Sequence, residues 1–177
     1  HKEYRRQRQM CIRDRDRTTI GHRLTNVKRE AFGREATVQG IDLKWNRDEH
    51  NQFMAQILHS DIKQDPNELN NYQLVDEQDL AGWVNWSYSP SDEWSHAVYY
   101  SHYGDQFDMN DMGYMRRNGF DEFYAYHRHD RLQYDQESSL LSSSTEFDYS
   151  YAENTQGQRL YFWSEINFEW MFKSTRK

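Results

Sequence analysis

The sequence predicts an all-β fold: an antiparallel up-and-down meander that is a fragment of a transmembrane β-barrel. Three observations carry this. The segment from Trp83 to Phe123 reads as strand, turn, strand, long polar loop, strand, with aromatics on both faces among hydroxyls and histidines. The chain combines a mean hydropathy of -1.21 with 16% aromatic residues, whereas disordered chains are poor in aromatics. The run Arg159–Lys173 alternates with period two, gathering Leu160, Phe162, Ile166, Phe168, Trp170 and Phe172 on one face. A helix would scatter those residues round its circumference.

In chain order, residues 1–17 are read as a non-native or disordered leader, and residues 18–177 as one partial β-barrel domain. The leader holds the only basic cluster, Arg5 to Arg17, and the only cysteine, Cys11. Its run Met10-Cys-Ile-Arg-Asp-Arg15 resembles translated sequencing adapter. Thr18–Val27 is a Thr-rich strand. Ala36–Trp45 sets Ile41, Leu43 and Trp45 against Val38, Gly40, Asp42 and Lys44. After the polar turn 46–51, Gln52–Asp61 brings Phe53, Ala55 and Ile57 together. Residues 62–79 read as a polar loop. Leu80–Tyr88 and Trp94–Tyr103 flank the turn Ser89-Pro-Ser-Asp92, where Pro fixes φ and Asp can bond its own backbone. Phe120–Arg131, Thr145–Tyr151 and Arg159–Lys173 complete about eight strands. No stretch has convincing helical periodicity.

Such a sheet suits either a soluble sandwich or a membrane barrel. In lipid, apolar residues face outward and polar residues inward, with Tyr and Trp near strand ends. Trp45, Trp83, Trp94, Tyr103, Tyr151 and Tyr161 all lie at predicted strand ends. Short turns (46–51, 89–93, 154–158) also roughly alternate with long loops (62–79, 104–118, 132–144), which favours the barrel. No run approaches the roughly 18–20 apolar residues of a spanning helix, but a spanning strand needs only about 9–11. A net charge of -7 argues against a nucleic-acid partner.

Several strings resemble the C-terminal, predicted outer-membrane barrel region of the domain of unknown function 5916 family. They are Leu24-Thr-Asn-Val-Lys-Arg29, Ala36-Thr-Val-Gln-Gly-Ile-Asp-Leu43, Ser60-Asp-Ile62, Trp94-Ser-His96, Tyr100-Ser-His-Tyr103 and Phe107-Asp-Met-Asn-Asp-Met-Gly-Tyr-Met-Arg-Arg-Asn118. The last is the most specific, and it nominates Phe107, Asp108, Asn110, Asp111, Gly113, Arg116, Arg117 and Asn118 as the family-motif loop. The resemblance implies a bacterial cell outer membrane in a Gram-negative envelope, with outer-membrane lipid as partner. It also implies a carbohydrate link through an N-terminal module resembling a family 9 carbohydrate-binding domain, which these 177 residues do not include. The implied role is envelope structure or passage of small solutes. A soluble β-sheet carbohydrate-binding module is the alternative.

Other chemistry is weaker. Asp105, Asp108, Asn110 and Asp111 offer oxygens to calcium but lack the EF-hand spacing and its closing Glu. Capping of turns and pairing with Arg116 or Arg117 is the expected use of these side chains. His96, His102, His127 and His129 raise a metal reading, and His127 and His129 share a strand face, but a zinc site adds a close third ligand that His129-Asp130 alone does not provide, so no metal site and no cofactor is expected. Neither a Gly-x-Ser-x-Gly elbow nor a His-Glu-x-x-His motif occurs, and no enzyme is expected.

Overall fold

The computed structural model describes the backbone of residues 4–14 and, in full, residues 17–66, 74–110, 115 and 117–174. Among these residues nine strands follow one another in a single sheet. They are β1 (Tyr4–Asp14), β2 (Thr18–Arg29), β3 (Arg34–Asn46), β4 (Asn51–Gln64), β5 (Val75–Ser91), β6 (Trp94–Tyr103), β7 (Phe120–Arg131), β8 (Leu140–Asn154) and β9 (Arg159–Phe172). Spatial order equals sequence order, every neighbouring pair is antiparallel, and β1 and β9 each have one neighbour, so the sheet is open. One short 3₁₀ turn, Glu30–Phe32, links β2 to β3 and ends at Gly33, whose φ of 57° lies in the left-handed region. Among the described residues the meander contains no α-helix, and its all-β antiparallel order agrees with the sequence expectation. The sheet begins earlier than expected, because β1 occupies the residues read as a leader and pairs with β2 from Tyr4↔Lys28 to Asp14↔Thr18.

Register fixes the two faces. Cross-strand partners lie on the same side of a sheet, and successive residues alternate sides. One row crosses eight strands as Ile20, Leu43, Ala55, Val84, Tyr100, Phe123, Tyr151 and Phe162. The next row, on the opposite face, runs Gly21, Asp42, Gln56, Trp83, Ser101, Glu122, Ala152 and Tyr161. In β9, Phe162, Ile166, Phe168 and Trp170 share the apolar side, while Glu165 and Glu169 take the other.

The polar face is tied together by side-chain hydrogen bonds. Arg23 holds Asp42 with both Nη2 contacts at 3.0 and 3.1 Å, Gln56 donates to Asp42, and Trp83 Nε1 donates to Gln56 at 3.2 Å. This chain links β2 to β5. Farther along, Tyr124 donates to Asp148 at 2.5 Å and Tyr126 to Glu146 at 3.1 Å.

The apolar face is the uncovered one. Ile41, Ile57, Ile166 and Phe168 are each more than half exposed, at 57%, 64%, 57% and 57%. What is fully buried sits on the polar side: Val38, Leu58 and Ala81 pack with Phe107 from the β6–β7 loop. Among the described residues no second layer covers either face.

Strand ends differ from the sequence expectation in one consistent way. β4 continues to Gln64 and β5 starts at Val75, so the 62–79 loop is shorter than its polarity suggested, and β8 starts at Leu140 inside the Ser-rich stretch. In a meander, successive connections leave from alternate ends. The 104–118 loop and the 154–158 turn therefore share one end, while turns 46–51 and 89–93 share the other end with the longer 132–144 connection. Each end carries one exception to the expected separation of short and long loops.

Candidate functional site

The β6–β7 loop that carries the motif folds inward over the polar face. Phe107 has no exposed surface and seats among Val38, Leu58 and Ala81, with Tyr103, Met109 and Met115 packed around it. Gly40 makes room, because a Cβ there would stand 2.4 Å from a Leu58 methyl carbon. Tyr103 meets Phe107 edge-on at 6.0 Å and stacks on Phe120 at 5.0 Å.

Polar contacts hold the loop down at several points. Gly104 N–H donates to Leu80 C=O at 3.0 Å and Gln106 N–H donates to the Asp79 carboxylate at 2.9 Å. Asp108 is the hub. Its N–H donates to Ser60 Oγ at 3.2 Å, and its carboxylate accepts from Arg34 Nη2 at 3.0 Å and from the Asn110 backbone and side-chain amides at 2.8 Å each. Asn110 Oδ1 in turn accepts from Met115 N–H at 3.0 Å. Asn118 Nδ2 donates to Asp105 C=O at 2.7 Å, and Thr155 in the β8–β9 turn donates to the Asp105 side chain at 2.7 Å. Gly119 closes the loop with a φ of 65°, which a Cβ would strain.

Of the sequence-nominated residues, Phe107, Asp108, Asn110 and Asn118 come together in this cluster. Asp111, Gly113 and Arg116 lie outside the described residues. Arg117 does not pair with Asp108, whose cationic partner among the described residues is Arg34 on β3. Arg117 instead lines a cleft of about 520 Å³ beside the loop, with Tyr103, Met109, Met115, Glu122 and Tyr161. Glu122 is engaged there by the Tyr161 hydroxyl. Sequence reasoning missed Arg34, Asp79 and Thr155, and it marked Ser60 only within the string Ser60-Asp-Ile62, with no link to the loop. The fold of the sheet brings all four to the loop.

Asp105 and Asp108, the described carboxylates of the loop, are both engaged by protein partners. Among the described residues no group of three or more His, Cys, Asp or Glu side chains converges as a metal site. On the apolar face His96 and His127 are directly opposed, their Nδ1 atoms 2.8 Å apart, and the indole of Trp94 stacks on His129 with ring centroids 3.9 Å apart.

No curated protein and no solved structure matches the chain significantly. The family profile described as domain of unknown function (DUF5916) matches residues 15–177, nearly the whole chain and all of β2 to β9, and the chain belongs to that family.

Proposed function

We propose that this chain is a stretch of the wall of a bacterial outer-membrane β-barrel, serving envelope structure or the passage of small solutes. One observation carries the proposal: from β2 to β9 a row of exposed apolar residues lies on one face, strand after strand, and among the described strands β9 also exposes Tyr161, Trp163 and Met171 on the other face. Ile20, Ile41, Ile57, Val84, Tyr100, Phe123, Phe147 and Ile166 all belong to the first of these faces and are all solvent-exposed. Water penalises so large a contiguous apolar surface, whereas hydrocarbon does not. The opposite face carries hydrogen-bonded charges and the inward-folded loop, as the interior of a barrel does. The strands are 10 to 17 residues long from β2 to β9, enough to cross a bilayer when tilted. Two open edges need further strands or copies to close them.

Tryptophan quenching by brominated lipid tests this. Trp86 and Trp170 stand on the apolar face, 41% and 57% exposed, and Trp83 is bonded to Gln56 on the polar face. In vesicles, Trp86→Phe and Trp170→Phe should each remove part of the quenchable emission, and Trp83→Phe should not. Absence of quenching, together with a monodisperse monomer in plain buffer that binds polysaccharide, would overturn the proposal in favour of a soluble carbohydrate-binding sheet.

A further inference from the structure

The paired histidines are unused by the wall or by the motif loop, and their geometry is specific. His96 on β6 and His127 on β7 are cross-strand partners, half-buried, with their Nδ1 atoms 2.8 Å apart, ring centroids 4.6 Å apart and ring planes 48° apart. Their surroundings hold them: Tyr88 stacks on His96 at 5.9 Å, and Trp94 packs at 6.1 Å from His96 and 5.4 Å from His127. Tyr88 and Trp94 restrict His96, and Trp94 restricts His127, to few rotamers, so little side-chain entropy remains to be lost on ligation.

We propose that His96 and His127 form a two-point site for a divalent transition metal of tetragonal preference, Cu(II) before Zn(II). Metal–imidazole bonds of about 2.0 Å put two nitrogens about 2.8 Å apart at a right angle and about 3.3 Å apart at the tetrahedral angle. The observed spacing matches the right angle, which is the cis arrangement of square-planar Cu(II) or Ni(II). Imidazole affinity also peaks at copper among the divalent first-row ions. Both histidines lie toward the β5–β6 turn, near the strand ends where a lipid-facing surface meets water, and water fills the other coordination positions, since no third protein ligand converges among the described residues. Without metal, one Nδ1–H donates to the other Nδ1. On binding, that ring exchanges its proton from Nδ1 to Nε2 through solvent, and both lone pairs then face the ion with no net proton release. The site stands on the pair alone and does not depend on the membrane proposal.

Calorimetry and electron paramagnetic resonance of the full chain with Cu(II) supply the test. One ion should bind per chain with nitrogen hyperfine structure from two imidazoles, and Zn(II) should bind more weakly. His96→Ala and His127→Ala should each weaken binding by about tenfold or more, as loss of a metal-site contact does. His59→Ala, which removes a histidine elsewhere on the same face, should leave binding intact. Line broadening of the imidazole resonances in the unaltered chain reads the same site without any variant: Cu(II) should broaden His96 and His127 first. No binding, binding indifferent to both alanine variants, or first broadening at His22 or His50 would each overturn the proposal.

Discussion

Arg34 and Asp108, 74 residues apart in sequence, meet in a hydrogen-bonded ion pair of 3.0 Å that fastens the β6–β7 loop to the polar face of β3. The two side chains are 20% and 25% exposed, so the pair is screened less than a surface bridge and desolvated less than a buried one. Asp108→Asn keeps the Asn110 contacts but removes the charge. A double-mutant cycle of Arg34→Ala and Asp108→Asn should return a coupling of about 1 kcal/mol, within the range for residues in direct contact and reduced by partial solvent screening. Proteolysis within residues 109–117 reads it. Equal cleavage of the parent and both single variants would remove the pair from the account of loop order.

Phe107 supplies the apolar half of the same anchor. Its side chain is wholly buried among Val38, Leu58 and Ala81, where packing around the gap can collapse only partly. Phe107→Ala should cost about 3–5 kcal/mol of loop seating, as large core truncations do. Hydrogen exchange should rise at the amides of Gln106 and Asp108, whose partners are on β5 and β4. Leu132→Ala, at an exposed position after β7, should leave those amides unchanged.

Neighbouring positions on β5 separate the two faces. Val84 lies in the apolar row, and Asn85, facing the other way, pairs with Tyr99. In a bilayer, Val84→Arg should cost about 2–4 kcal/mol, whereas a charge on the interior face is tolerated. Membrane-assembled protein should fall sharply for Val84→Arg and hold for Asn85→Arg. Equal assembly of both would contradict a lipid-facing row.

The β3–β4 turn offers a pH prediction outside the strands. Asp48 accepts from the Asn51 side chain at 3.0 Å and from the His50 and Asn51 backbone amides at 2.9 and 2.8 Å. The Asn51 amide group foremost, then these backbone donors, hold the Asp48 carboxyl below the ordinary aspartate range. A depressed carboxyl favours the fold above its unfolded value, and that contribution is lost as pH falls through the folded one. Solvent exposure of the carboxylate keeps the effect small. A carboxyl NMR titration should place Asp48 below ordinary aspartate, and Asn51→Ala should move it back up. Identical titrations in both proteins would rule out the side-chain contact as the cause.

By itself the sequence determined the local alternation and little beyond it. Where one face is apolar and the other polar, as in Ile41, Leu43 and Trp45 on β3 or Phe162 to Trp170 on β9, the period of two is written in the residues. Where at most one apolar residue falls on a face, as along Asp61–Gln64, Val75–Asp79 and Leu140–Ser144, the period has too little contrast to show it, and strand looks like loop. The motif string marked the loop for the same local reason: an unusual mixture of acids, amides, arginines and large apolar side chains. Tertiary structure decided its partners. Arg34, Ser60 and Asp79 reach the loop only because β3, β4 and β5 lie side by side in one register, and that register places Phe107 on the polar face. A hydrogen bond depends on distance in space, and in this meander spatial neighbours are set by strand order summed over many residues, which no single segment of sequence contains.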